Sequence, residues 1–341
     1  MDNQANVELA SWNRFHTRNL AVASALLGCS HVFDFGGHTV RISLPSADAL
    51  PAGYTPGEHV IGDRLSISGW HRTEDGEYQP LEVYVDNVDV VVSIPGKHAV
   101  PEGVLSRSAN AYELVPEQQQ DHFDKLLTSN GSVARRAFDL WIRTVRWKAD
   151  AYRLGLSDVS DIETGWSTYL HEKNTRQDVW ASGHTFTVYG AKSVAPEQWD
   201  GVSAALDNGE QPPIYWDLLY DAMGHLERGD LKRTVVDAAV AAETYMKITV
   251  QASLPNGLDE PLKEYINNAQ IWRVRDRFFP ERLDTQQRKT YKSLRPDLKK
   301  LFDHRNVIMH SGQKEGLTAP HCQKIVNSVH ELISLEPIKA T

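Results

Sequence analysis

Ser293-Leu-Arg-Pro-Asp-Leu-Lys-Lys-Leu-Phe-Asp-His-Arg-Asn-Val-Ile-Met-His-Ser-Gly312 decides how the C-terminal third of this 341-residue chain is read. At 100° per residue with Arg305 at zero, Leu298 falls at about +20°, Leu301 at about −40° and Phe302 at about +60°. Ile308 and Met309 follow at about −60° and about +40°. One stripe thus collects the apolar residues, as in an amphipathic helix packed on a core. Ser293 offers an N-cap, Pro296 falls in a tolerant first turn, and Gly312 supplies a C-terminal stop. Arg305 sits in the middle of the stripe. A buried guanidinium is expensive unless it meets a carboxylate, a backbone carbonyl or a bound anion.

His310 lies five residues beyond Arg305, about 140° away on an ideal helix, so the two do not share a face. The reach of the arginine, unwinding at Ser311-Gly312, or a second copy across a two-fold axis would bring them together. The helix macrodipole favours a cation at the position of His310. A guanidinium and an imidazolium suit a phosphate, Asn306 adds a polar contact, and such a set can cleave a phosphodiester without metal. The plainer alternative is a buried arginine paired with an acid and a surface histidine at a helix end. So short a motif takes its weight from context.

That context is helical from Pro212-Pro213 onward. Residues 214–228 predict one helix, Gly229-Asp230 stops it and caps the next, and the second helix runs to about Ala252. Its seam is Val235, Ala239, Ala242, Met246 and Thr249. Shorter helices are expected over 258–272 and 285–292. A last helix from Thr318 buries Cys322, Ile325, Val326, Val329, Leu332 and Ile333. Residues 206–341 therefore read as an all-α helical bundle.

The first 205 residues have another texture. Val40, Ile42 and Leu44 alternate with polar residues, as do Leu81, Val83 and Val85. Val88, Val90, Val92 and Ile94 resume the pattern shifted by one, so a turn or bulge is expected at Asp86-Asn87. Pro51-Ala-Gly-Tyr-Thr-Pro-Gly57 punctuates the strands. A helical insertion follows, capped by Ser132, with Ala134, Phe138, Trp141, Val145, Ala149 and Tyr152 at helical spacing until Gly155. Arg135, Arg136, Arg143, Arg146 and Lys148 lie off that stripe and would form a basic face. Strand character returns over 176–190, where Phe186 and Val188 alternate. This predicts an α+β or β-sandwich-like domain over 1–205, and an α+β class for the whole chain.

Composition narrows the function. Two cysteines, Cys29 and Cys322, exclude a disulfide framework and fit a reducing, cytoplasmic setting. The run Leu20-Ala-Val-Ala-Ser-Ala-Leu-Leu-Gly-Cys29 is too short to span a bilayer. Asp2 and Glu8 before it argue against a lipoprotein signal, which leaves a buried helix or strand. His16, His31, His38, His59, His71 and His98 are scattered without zinc-site spacing, so no metal and no cofactor is expected. The net charge of −9 argues against indiscriminate nucleic-acid coating, yet residues 273–305 hold 11 Lys and Arg against 5 Asp and Glu. That run is either a solvated face or a groove guiding a polyanion to Arg305.

The C-terminal region resembles the HEPN superfamily of helical domains, many of them metal-independent ribonucleases or ribonuclease toxins. Arg305-Asn306-Val307-Ile308-Met309-His310 carries the likeness. So do Tyr220-Asp-Ala-Met-Gly-His-Leu-Glu-Arg-Gly-Asp230 and Ala238-Ala-Val-Ala-Ala-Glu243, which look like the first two helices of bacterial members. The resemblance spans about 210–341. It implies Arg305 and His310 as the catalytic pair, Asn306 as support, Glu243 as an acid orienting the arginine, and a homodimer with facing motifs. Glu243 equally suits an i,i+4 pair with Lys247.

The function so implied is RNA cleavage by 2′-hydroxyl attack, in a toxin or antiviral-defence effector with a regulatory ligand or protein at the N-terminal domain. Two alternatives stand beside it. One is a non-catalytic HEPN-like module that binds RNA or a nucleotide while the N-terminal domain recruits a partner. The other is a metal- or carbohydrate-processing enzyme in the N-terminal half.

Overall fold

The computed structural model describes residues 4–49, 60–61, 64–101, 115–155, 168–171, 178–182, 193–254, 260–312 and 316–335. The chain forms two compact units, Met1–Gln211 and Pro212–Thr341. A strand-rich first unit and a helical second unit make the chain α+β.

The first unit is built on one long strand. Strands β1 (Gln4–Ala23), β2 (Ser30–Phe35), β3 (His38–Ser43), β4 (Val60–Ile61), β5 (Leu65–Arg72) and β6 (Tyr78–Pro101) form a six-stranded antiparallel sheet. β1 covers one edge of β6. The other edge of β6 is shared, by β5 up to Val85 and by β3 from Asp89 onward. Asp86-Asn87 is the handover point. β6 does not turn there; instead β1 bulges, so that residues 17–19 oppose Asp86 alone, with Asn19 at φ 66°. Val83, Val85, Val88, Val90 and Val92 all belong to one core despite the parity change.

Helix α1 (Glu117–Ala149) and helix α2 (Pro196–Asp207) pack on this sheet, contributing Ala134, Phe138, Trp141, Val145 and Trp199 to its core. Among the described residues the arrangement is a single sheet with helices on it, not a two-sheet sandwich. A separate two-stranded ribbon joins β7 (Thr168–His171) to β8 (Asp178–Ser182). Phe186 and Val188, and the Pro51–Gly57 stretch, lie outside the described residues. α1 starts fifteen residues before the expected cap. Ser132 sits mid-helix, its hydroxyl donating to the Thr128 carbonyl at 3.3 Å. A serine inside a helix can bond back to the carbonyl four residues earlier, so its type alone does not mark an end.

In the second unit, α3 (Ile214–Glu227) and α4 (Leu231–Ala252) follow the expected bounds closely. The Asp230 carboxylate caps α4 by accepting from the Arg233 amide at 3.2 Å. α5 (Glu260–Asn268) is shorter than predicted and is followed by a turn at Ile271–Arg273, a π-helical turn at Val274–Phe278 and a 3-10 turn at Phe279–Arg282. α6 (Thr285–Ser311) and α7 (Ala319–Ile333) complete the bundle. All six residues expected to be buried by α7 are buried.

α6 absorbs the short helix expected over 285–292. Its N-cap is Asp284, not Ser293: the Asp284 carboxylate accepts from the Gln287 amide at 2.8 Å, and the Gln287 side-chain oxygen accepts from the Asp284 amide at 2.9 Å. Pro296 therefore lies inside the helix. An interior proline costs about 3 kcal/mol or more. Against that, Tyr291, Leu294, Leu298, Leu301 and Phe302 are all buried along one stripe that crosses it. At about 1.5–3 kcal/mol for each buried side chain, the stripe outweighs the break.

Candidate active site

α6 brings Arg305, Asn306 and His310 to its last two turns. The helix stays regular to its end: the Gly312 amide donates to the Ile308 carbonyl at 2.9 Å, and Gly312 takes the left-handed conformation at φ 66°. No unwinding at Ser311 narrows the angle between Arg305 and His310. Within one chain they diverge by about 140°.

Arg305 is half-buried rather than buried. Its stripe leaves the core one turn before it: Leu301 and Phe302 are buried, Arg305 and Ile308 are half-buried, and Met309 is 61% exposed. The guanidinium therefore keeps access to water, and its desolvation cost is correspondingly reduced. Arg305 Nη1 donates to the Asn306 side-chain oxygen at 3.2 Å. Among the described residues no carboxylate lies within ion-pair distance of it. His310 is exposed on the last turn of α6. Met309 follows Arg305 by four positions, and Val307, 46% exposed, precedes His310 by three. Arg305 and His310 thus each have an uncovered apolar neighbour on their own face.

Glu243 stands elsewhere in the interaction pattern. Its carboxylate closes on Lys247 at 2.7 Å, four residues along α4, and the Lys247 ammonium also donates to the Asn267 carbonyl at 2.6 Å. That is the i,i+4 geometry and involves no arginine.

The basic run is partly neutralised. Arg275 and Arg295 share Asp276, at 2.7 and 2.9 Å, and Lys299 pairs with Asp303 at 2.7 Å. These pairs hold the Asp276 carboxyl below the usual carboxylate range. Arg273 and Arg277 instead flank Trp272, with guanidinium carbons 5.2 and 5.6 Å from its ring centroid. On α1 the expected basic face is likewise engaged: Arg135 lies over Phe15, Arg136 over Phe35, and Lys148 pairs with Glu210 at 3.2 Å.

One pair was not foreseen from the sequence. His304, next to Arg305, meets His321 of α7 edge to face, with ring centroids 5.1 Å apart. Burial lowers the pKa of His304, and His321 lowers it further. His321 Nε2 is buried with no hydrogen-bond partner among the described residues. Seventeen positions separate the two residues in sequence, and only the packing of α6 against α7 joins them.

Three histidines of the first unit hold hydrogen bonds within the fold. His31 is buried; its Nδ1 accepts from the Trp141 indole at 2.9 Å, and its Nε2 lies 3.2 Å from the Trp199 carbonyl. Because an indole only donates, the ring is neutral with its proton on Nε2. His38 and His98 contact the carbonyls of Ser93 and Pro95, at 3.0 and 3.1 Å. His59 lies outside the described residues. Among the described residues no three His, Cys, Asp or Glu side chains gather as metal ligands, and no helix is long and apolar enough to cross a membrane. A shallow depression on the open sheet face, lined by Ala10, Val32, Thr39, Arg41, Val91 and Ser93, contains one ionisable group, Arg41. No protein-family model, curated protein or solved structure matches this chain.

Proposed function

We propose that this chain is a metal-independent endoribonuclease whose site forms between two copies, with Arg305 of one protomer working beside His310 of the other. One observation carries the reading. α6 holds the two residues about 140° apart on a regular helix end, each flanked by an exposed apolar side chain, Met309 or Val307. A single copy cannot close such a site around one phosphate. A second copy related by a two-fold axis supplies the missing partner to each and covers the apolar residues.

The chemistry follows from the groups. A His310 imidazole takes the proton of the ribose 2′-hydroxyl as that oxygen attacks the adjacent phosphorus. Arg305 balances the charge that accumulates on the equatorial phosphoryl oxygens, with Asn306 holding its guanidinium in place. The bond to the 5′-oxygen breaks, that oxygen takes a proton from solvent, the His310 imidazolium returns its own to solvent, and the products are a 2′,3′-cyclic phosphate and a 5′-hydroxyl. Replacing the 2′-hydroxyl by hydrogen removes the nucleophile, so DNA resists cleavage.

Complementation in mixtures tests the composite site. Arg305→Ala and His310→Ala are each expected to abolish cleavage with the unfolding transition unchanged. Mixed in equal amounts and allowed to exchange subunits, they regain roughly a quarter of wild-type activity, because half of the dimers are mixed and each rebuilds one of two sites. Full cleavage by either variant alone would end the assignment, and inactive single variants without rescue on mixing would end the composite geometry. A second reading, a non-catalytic RNA-binding module, is favoured by the divergence of the pair within one chain. Tight RNA binding without turnover by the intact protein selects it.

A further inference from the structure

In the second unit, an aromatic and cationic cluster lies outside the Arg305 motif. Trp272 is 40% exposed and Tyr265 is 49% exposed. Arg273 ties the two rings together: its guanidinium carbon sits 5.2 Å from the Trp272 centroid, and its Nη1 donates to the Tyr265 hydroxyl at 3.4 Å. Arg277 approaches the same indole at 5.6 Å. It gets there through the π-helical turn Val274–Phe278, whose extra residue per turn carries position 277 back toward position 272. The indole N–H is already committed to the Gln270 side-chain oxygen at 2.5 Å, which fixes the ring plane.

Two features mark this cluster. The neighbouring Arg275 and Arg295 are spent on Asp276 and Lys299 on Asp303, whereas Arg273 and Arg277, like Arg305, have no carboxylate partner among the described residues. The large aromatics beside them are also left in water. Burying Tyr and Trp is favourable, and folding here does not do it.

We propose that Tyr265, Trp272, Arg273 and Arg277 form a docking platform for single-stranded nucleic acid, holding the RNA that the Arg305 site cleaves. The proposal thus rests on the ribonuclease reading for its biological substrate, but not for its binding chemistry. A base stacks on the Trp272 indole and a neighbouring base on Tyr265. The two guanidiniums swing from the ring to the flanking phosphates. That exchange is favourable: an exposed cation–π contact is weak, and it is replaced by a base stack and a charge-assisted phosphate pair. An acidic peptide would use the guanidiniums and leave both rings idle, so the aromatic content favours nucleic acid.

A fluorescein-labelled single-stranded oligodeoxyuridylate, which lacks the 2′-hydroxyl and cannot be cut, serves as probe in anisotropy titrations of the full chain. Trp272→Ala is expected to weaken binding about tenfold or more, and Trp272→Phe, which keeps a ring, by clearly less. Arg273→Gln combined with Arg277→Gln is expected to flatten the slope of log affinity against log salt by about 1.4, the value for two phosphate contacts on a single strand. Unlabelled polyglutamate of matched charge should fail to displace the probe. Unchanged affinity in Trp272→Ala, no binding by the wild type, or displacement by polyglutamate as efficient as by unlabelled oligonucleotide each overturns the platform. The two readings separate cleanly. Wild-type protein that binds through Trp272 yet cuts no RNA keeps the platform and loses the ribonuclease, while a cutting enzyme indifferent to Trp272 does the reverse.

Discussion

Acidification should loosen the first unit through one residue, His31. Burial pushes its pKa down from 6.5 to about 4, against smaller opposing effects of the Trp199 carbonyl, Asp207 and Asp200. The sign follows from the proton count. Between pH 6.5 and 4 the unfolded chain binds a proton at His31 and the folded protein does not, so stability falls as the pH drops through that window. Above pH 6.5 the contribution is fully present, and below pH 4 nothing more is lost. A depression from 6.5 to about 4 corresponds to roughly 3 kcal/mol in all, of which about 2 kcal/mol is gone by pH 4.5. Against a typical total of about 5–15 kcal/mol, that is a large fraction.

The assay is urea unfolding between pH 4 and pH 8, read by tryptophan fluorescence. Seven of the nine tryptophans lie in the first unit, so the signal reports mainly on it. The reference is His31→Gln. A glutamine oxygen can accept from Trp141 and its amide can donate to Trp199, but it carries no proton equilibrium. Glu82 and Asp86, whose carboxyl pKa values burial raises, stabilise the fold as the pH falls, opposite in sign to His31. They are common to both proteins and cancel in the difference. The wild-type-minus-variant curve should be flat above pH 7 and decline by about 2 kcal/mol toward pH 4.5. A flat difference throughout would mean that the His31–Trp141–Trp199 contacts do not exclude the proton, and the reasoning would fail.

Three further outcomes are expected. Tyr291→Phe removes the buried hydroxyl that donates to the Arg275 carbonyl at 2.7 Å, leaving that acceptor in the π-helical turn unpaired; a cost of about 1–3 kcal/mol should appear in urea titrations, and no change would show that water replaces the hydroxyl. Pro296→Ala, at an exposed position inside α6, should stabilise the second unit by about 1–3 kcal/mol in thermal unfolding, unless a bend at Pro296 is needed for the packing of Leu294 and Leu298, in which case the melting temperature falls. Met309→Asp and Val307→Asp alter exposed side chains, so each monomer should melt as before while sedimentation shows the proposed dimer lost and the proposed RNA cleavage gone with it; an intact dimer would place the contact between copies elsewhere.

The helical second unit was legible wherever local signals agreed. Gly229-Asp230 and Thr318 announce their helix ends because stop and cap residues stand at junctions of apolar periodicity, and the structure places ends there. Ser293 misled because it lies inside a helix whose apolar stripe continues on both sides, where burial outweighs local preference. Ser132 misled because the helix extends upstream of the buried stripe into a largely exposed segment, which apolar periodicity does not mark. The first unit hid its topology because β6 exchanges partners midway, and no local pattern in 78–101 says that β1, starting near the terminus, covers its whole other edge.

The helical wheel located Arg305 on the apolar stripe but could not say where the core ends along the helix axis. That limit depends on how far the other helices of the bundle extend, a non-local quantity. The core stops at Phe302, and this shifts the physical question posed by Arg305. A fully buried guanidinium would have required a carboxylate inside the fold, and a structural ion pair would have explained the residue. Arg305 at the rim requires no such partner, and Asn306 is a weak substitute for one. Its cation thus stays available to an anion brought from outside, on the same helix end that leaves Val307 and Met309 uncovered. A charge kept unpaired beside exposed apolar side chains costs little in a monomer and gains most where a second surface and a phosphate arrive together.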